Sequence, residues 1–325
     1  MVPLGVSLWP RAGVENDVTD VIEQARAARA AGLRSVWFGQ RFDLDSLVLA
    51  GVVGGAVPDI GVGTSIVPIN PRHPIVVANQ AQTVQAATGG RFRLGLGLGA
   101  PATESAAFGI DEDKPVLRLR EYLTVLRELI EHGGADFAGE RLRAHSPMPT
   151  TVHGGQDIPL LVAAMGPRAL RVTGELADGV LPLLAGPRTL GSHIVPHLER
   201  ARPARPLQIV AGVVAVVTDR PEEVRAHATE VMAFYERVPS YRAVLDREGV
   251  ERAADVALIG DEEHVARGLR AYVDAGATEL LVAQTDLGGP ADQARTWRLL
   301  GELAGRSWSG QTVHTSRSEE SDNPR

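Results

Sequence analysis

Short apolar runs alternate with amphipathic stretches along most of the chain, in a constant order. Residues 2–9 read as a first strand. Val18, Val21, Ile22, Ala25 and Ala28 then recur at helical spacing behind Asn16, a candidate N-cap, with Asp17 and Asp20 suited to the positive end of a helix. Gly32 ends that helix, and residues 35–38 form the next apolar run. The cycle repeats as helix 44–57, strand 60–67, helix 73–88 and strand 92–98. A loop is expected over 100–113, then a helix opened by Pro115 that buries Leu119, Tyr122, Leu123, Leu126, Leu129 and Ile130. Residues 133–158 are polar and proline-bearing, which predicts a hairpin or an excursion. Strand runs resume at 159–164, 179–184, 207–217 and 279–283, with helices at 167–177, 187–201, 221–237, 261–275 and 291–304.

Eight strand–helix pairs of this kind require a parallel sheet covered on both faces. The count fits a single (β/α)8 TIM barrel over residues 1–306, with an insertion near 238–260 before the last strand. An open doubly wound sheet is the alternative, because periodicity does not reveal closure. The tail, 307–325, is polar and aperiodic, and disorder is expected there.

Several of these runs end in glycine, serine or proline, so parallel packing would gather small and polar residues at one mouth. Gly61-Val-Gly-Thr-Ser-Ile-Val-Pro68 is the clearest instance. In Leu94-Gly-Leu-Gly-Leu-Gly-Ala100 strict alternation puts Gly95, Gly97 and Gly99 on one strand face. That bare face suits either a flat ligand or large neighbouring side chains. A dinucleotide fingerprint does not fit, because no helix follows directly and Glu121, at the expected acidic spacing, lies within a helix. Ala164-Met-Gly-Pro-Arg168 and Ala185-Gly-Pro-Arg188 each follow a strand, with proline at the first helical position and arginine next to it. Such helix starts carry unpaired N–H groups and suit a phosphate, although plain capping explains either one alone.

Composition narrows the classes. The 325 residues are 44% apolar and 22% charged, ordinary for a globular protein, and only 4% aromatic, so aliphatic side chains fill the core. A net charge of −7 argues against a nucleic-acid partner. No run is long and apolar enough to predict a membrane partner, and the beginning of the chain lacks a basic, then apolar, leader, so a cytoplasmic location is expected. Cysteine is absent, which removes disulfides, thiolate nucleophiles and thiolate metal sites. The nine histidines show no HExxH spacing, and no metal is expected; His193 and His197 read as a solvated helix face.

On Val36-Trp-Phe-Gly-Gln-Arg-Phe42, Gly63-Thr-Ser-Ile-Val67, Arg72-His-Pro74, Gly89-Gly-Arg-Phe-Arg-Leu-Gly-Leu-Gly-Leu-Gly99, Glu121-Tyr-Leu123, Ala163-Ala-Met-Gly-Pro-Arg168 and Gly174-Glu-Leu-Ala-Asp-Gly179, the chain resembles the luciferase-like monooxygenase superfamily. Within it the likeness is to the branch that uses the deazaflavin coenzyme F420. The resemblance implies a (β/α)8 barrel with an insertion before the last strand, and a non-prolyl cis peptide at Ser65-Ile66. It also implies cofactor contacts from Gly39, Thr64, Ser65 and Ile66 around the ring. The ribityl and phosphate arm would lie along Gly97, Leu98 and Gly99, along Ala164, Met165, Gly166, Pro167 and Arg168, and at Gly179 and Val180. Trp9 and His73 would stand on the substrate side.

The chain departs from the sugar-phosphate dehydrogenases of that branch, having Gly39-Gln40 where they resemble Asp-His and Ala100 where they carry a glutamate. Glutamine is no general base at neutral pH, so alcohol oxidation is disfavoured and reduction of an activated C=C or C=N bond is expected. Gln40 and Glu104 are the candidate catalytic side chains, with a solvated loop carboxylate as the plain alternative for Glu104. FMN is the alternative cofactor, in a monooxygenase, and a barrel that binds the cofactor without turnover is the second alternative. A homodimer is possible, as relatives commonly form one.

Overall fold

The protein is described by a computed structural model that covers residues 2–201 and 206–305. Its strands are β1 Leu4–Ser7, β2 Ser35–Phe38, β3 Gly61–Thr64, β4 Val67–Pro68, β5 Phe92–Gly97, β6 Asp136–Ala138, β7 Arg143–His145, β8 Leu160–Val162, β9 Gly179–Val180, β10 Gln208–Val217, β11 Leu258–Gly260 and β12 Glu279–Ala283. β1, β2, β3, β5, β8, β9, β10 and β12 pair in parallel in that spatial order, and β12 returns to β1. The eight strands therefore close into a barrel, as expected, and the open sheet is ruled out.

Helices cover the outside because each buries an apolar stripe on the strands beneath. Asn16 caps the first helix, Asp17–Ala30, accepting from Thr19 N at 2.9 Å, and its Val21, Ala25 and Ala28 are buried. Pro115–His132 buries Leu119, Tyr122, Leu123, Leu126, Leu129 and Ile130, as the spacing predicts. Residues 136–145 form an antiparallel hairpin, β6–β7, within the predicted excursion. Between β10 and β12 lie a helix, Pro239–Glu248, and β11, which pairs in parallel beside the last residues of β10; together with the helix Pro221–Glu236 they enclose a second small core around Val216, Met232 and Leu245.

One local expectation is corrected. The segment expected as a loop over 100–113 contains a helix, Pro101–Phe108, closed by Gly109 in the left-handed conformation at φ 65°. The tail expected to be disordered, 307–325, lies outside the described residues. Among the described residues no helix is long and apolar enough to cross a membrane.

The barrel interior is layered. At the level of the strand beginnings, Arg93 pairs with Glu279, Ser35 Oγ donates to Glu279 at 3.0 Å, and Trp37 Nε1 donates to Ser35 Oγ at 2.9 Å. The Arg93 guanidinium lies over the Trp37 ring, 4.5 Å from its centroid. Above this, Trp37, Leu161, Leu181, Val210 and Leu281 form an apolar plug against which Ile66 packs. Gly63 exists for that plug, since a Cβ there would collide with the Trp37 ring.

Candidate active site

Side chains alternate along a strand, so the lumen positions above the plug are two residues on from it. Seven of the eight, Ser7, Gly39, Ser65, Gly97, Ala163, Gly212 and Ala283, are small, and the eighth, Leu183, packs beside Gly212. This layer opens at the carboxyl ends of the strands, where barrel enzymes bear their sites. A small-residue layer over an aliphatic floor leaves a shallow, flat-bottomed slot.

The slot is held by close approaches. Ser65–Ile66 is a cis peptide, as the resemblance implies. Ser65 N donates to Phe38 O at 2.8 Å and Gln40 N to Ile66 O at 3.1 Å, which pins the bulge between β3 and β4 to the end of β2. Thr64 Oγ1 exchanges hydrogen bonds of 2.9 Å with Gly95 O and Gly95 N, standing in for a rung of the β3–β5 ladder. A Cβ on Gly97 would come within 2.6 Å of Ile66 Cδ1, and one on Gly39 within 2.6 Å of Trp9. The glycines of β5 thus admit neighbouring protein atoms, and the accessible bare surface is confined to the rim. Trp9 walls one side, with Arg41 stacked on it at 5.7 Å.

The two helix starts differ. Gly166 has open space where a side chain would stand, no side chain caps the helix Pro167–Leu176, and Arg168 is exposed. Met165 O accepts from His193 Nε2 at 2.9 Å. At the other start, the N–H groups of Arg188 and Thr189 already donate to the Glu248 carboxylate, at 3.2 and 2.8 Å. Only the first is open to an outside anion.

Some expected site residues are engaged elsewhere. Gln40 Oε1 accepts from Ser46 Oγ and Arg72 Nη2, both at 3.0 Å, while its Nε2 donates to Arg41 O at 2.7 Å; the amide braces the 40–46 turn instead of facing a reactant. His73 is the N-cap of the helix Pro74–Ala87: its Nδ1 accepts from Ile75 N and its Nε2 meets Arg143 O at 2.8 Å, which withdraws it from the substrate side. Val180 is fully buried among the outer core, and a Cβ on Gly179 would collide with Gln208 O, so neither reaches the slot. His193 and His197 are no solvated face: the rings lie 4.5 Å apart, and burial first, then Arg247 and His197, hold the His193 pKa below its usual value against the opposing bond to Met165 O.

Glu104 is likewise not a solvated loop carboxylate. It is 4% exposed, on the helix Pro101–Phe108, and its Oε2 accepts from Asn70 Nδ2 at 2.5 Å. A Cβ on Gly99 would collide with its Oε1. Burial raises its pKa, opposed by the Asn70 bond and the charge of Arg118. The folded protein then holds this proton more tightly than the unfolded chain. That contribution to stability is full below the unfolded carboxyl pKa of about 4.3 and is lost as pH rises through the raised folded value. Glu104→Gln is expected to gain stability relative to the parent across that window and level off above it. Urea melts at stepped pH check this, and a difference independent of pH would contradict it.

Nothing in the sequence pattern singles out Asn70, whose role depends on contacts across the fold, whereas period two from Leu161 marks Ala163. Two surface depressions, of about 470 and 450 Å³, lie elsewhere: one beside Glu128, Asp136 and His145, the other at the strand beginnings by Asp157, Asp178 and Gln208.

Three comparisons bear on this geometry. The family model described as luciferase-like monooxygenase matches residues 1–279. A Mycobacterium tuberculosis protein, provisionally named a coenzyme F420-dependent oxidoreductase, is 25% identical over 84% of this chain and 92% of its own length. Among solved structures, the coenzyme F420-dependent tetrahydromethanopterin reductase of Methanopyrus kandleri superposes with a TM-score of 0.77 at 21% identity, covering 93% of this chain and 97% of that one. The oxygenating component of the Pseudomonas putida 3,6-diketocamphane monooxygenase, in complex with FMN, gives 0.73 at 17% identity, with the same 93% and 97% coverage.

Proposed function

Because the chain belongs to the luciferase-like monooxygenase family, we propose that it is an F420-dependent oxidoreductase that reduces an activated C=C or C=N bond of a small organic substrate. The observation that carries this reading is the slot: a layer of small residues over an aliphatic floor, beside an open helix start with an adjacent arginine. A planar ring fits against Gly39, Ser65, Ile66 and Ala163. A phosphorylated arm fits past Leu98 and Gly99 to Ala164, Met165 and the N–H groups behind Gly166 and Pro167, where Arg168 adds charge. When bound, the deazaflavin supplies hydride.

The chain's own part is positioning, exclusion of water and management of one proton. Gln40 is a positioning residue here, because its backbone N–H holds Ile66 O and its amide fixes the turn above the slot. No histidine or carboxylate occupies the small-residue layer, so nothing there takes a proton from an alcohol, which favours reduction over alcohol oxidation. At the rim Phe42 and Phe108 are 77% and 51% exposed, with ring centroids 6.0 Å apart, and suit a substrate with an apolar body.

Anaerobic mixing of the protein and reduced F420 with a panel of enones, enals and cyclic imines tests the reaction. Loss of the reduced coenzyme on addition of at least one apolar member is expected. Oxidation of secondary alcohols by the oxidised coenzyme, with no reduction across the panel, would overturn the proposed direction. We also propose a homodimer through the helices Ser46–Ala56 and Pro74–Ala87, which expose Val48, Val52 and Val76; a monomer mass by light scattering would contradict it.

A further inference from the structure

Between the end of β5 and the helices Pro101–Phe108 and Pro115–His132 lie buried polar atoms that no protein group satisfies. Asn70, Glu104 and Tyr122 are 8%, 4% and 0% exposed. Asn70 Oδ1, Glu104 Oε1, Tyr122 Oη, Arg72 Nη1 and Arg118 Nε are buried without a hydrogen-bond partner. They share one neighbourhood. Asn70 Nδ2 bonds Glu104 Oε2 at 2.5 Å, and the charge of Arg118 acts on Glu104. Arg72 and Arg118 both act on the Tyr122 hydroxyl.

The remaining charges around the cluster are already matched. Arg72 Nη2 holds Asp45 at 2.6 Å, Glu112 lies 3.8 Å from Arg118 and 2.8 Å from Arg141, and Arg141 also meets Asp113 at 2.6 Å. Among the described residues, Glu104 forms no salt bridge of its own. The unpaired atoms comprise obligate donors on Arg72 and Arg118, acceptors on Asn70 and Glu104, and a hydroxyl that serves as either. With the arginines already paired to Asp45, Glu112 and Asp113, the unpaired atoms call for hydrogen bonds and not for a counter-ion. Water, which donates and accepts at once, answers all five.

We propose that Asn70, Arg72, Glu104, Arg118 and Tyr122 enclose ordered water, and that Glu104, buried without an ion pair of its own among the described residues, holds a transferable proton beside Gly99. Bare backbone is what separates Glu104 Oε1 from the rim at Gly99, since any Cβ there would occupy the position of that oxygen. The destination of the proton rests on the reductase reading. Once hydride has added to one end of the substrate's double bond, the other end carries the negative charge. The Glu104 O–H bond breaks, its proton passes through water to that atom, and the carboxylate regains a proton from solvent.

The test separates the pocket from the reaction. Infrared difference spectra of the cofactor-free protein, titrated through the acid range, should show a protonated-carboxyl band that outlasts the exposed carboxyls. The band should vanish in Glu104→Gln and shift in Tyr122→Phe. In turnover with reduced F420, Glu104→Gln should lower kcat by about 100-fold, the lower end of general-acid contributions. KM should change little, and the fall in rate with rising pH should disappear. No band that Glu104→Gln removes, a band indifferent to Tyr122→Phe, or an unaltered pH–rate profile in Glu104→Gln each overturns the proposal. Failure of the protein to bind F420 would instead sink the reductase reading, and the infrared bands alone would then decide whether the hydrated carboxyl exists.

Discussion

Ala163→Phe is expected to abolish useful binding of F420, weakening it by about 100-fold, on the order of 3 kcal/mol, while the protein stays folded. Ala163 stands at the lumen position above Leu161, only 3.7 Å from where a Cβ on Gly97 would lie, and is partly exposed. A benzyl group there would project into the layer that forms the slot. Fluorescence titration of the coenzyme against parent and variant, with urea melts of both, measures the two halves of the statement. Unchanged affinity in a folded variant would show that the ring does not sit over Ala163. An Ala163→Ser control keeps the size and should bind as the parent does.

Trp37→Ala carries the largest expected cost in stability, about 3–5 kcal/mol, typical of a buried tryptophan truncated to a cavity. Its side chain is fully buried in the lumen, bonded to Ser35 and covered by Arg93. Truncation opens a void beneath Ile66 and also leaves Arg93 without its stacking partner. Urea denaturation, analysed at constant slope, measures the loss. A loss below about 1 kcal/mol would mean that the plug is not what supports the floor of the slot. Gly63 gives the complementary case, since even alanine there would collide with the Trp37 ring.

The barrel is legible in the sequence because parallel strands buried on both faces read as continuous apolar runs, and because Asn16, Gly32 and Pro115 mark helix ends locally. The helix Pro101–Phe108 is not, since Ala102, Ala106 and Ala107 give almost no contrast between its faces. At the site, the helix start at Gly166 is readable because it is a property of a few consecutive residues, whereas the bulge at Ser65 is implied by the family resemblance alone. The status of Glu104, Gln40 and His73 is not readable. Glu104 is buried by Asn70, His73 is occupied by Arg143, and Gln40 by Ser46 and Arg72, partners that only the fold brings near. The second Gly-Pro-Arg start reads as equivalent to the first, and only the fold sets Glu248, from the insertion, on its N–H groups. Local conformation is written in neighbouring residues, whereas burial and hydrogen-bond satisfaction are written across the chain.

The central claim is that the small-residue slot and the open helix start receive a deazaflavin and its phosphorylated arm. Adding purified protein to F420, and separately to FMN, while following the fluorescence of each coenzyme tests it most directly. A saturable change in F420 fluorescence, lost in Ala163→Phe and with no comparable response from FMN, is the predicted result. Tight binding of FMN with no response from F420 would contradict it.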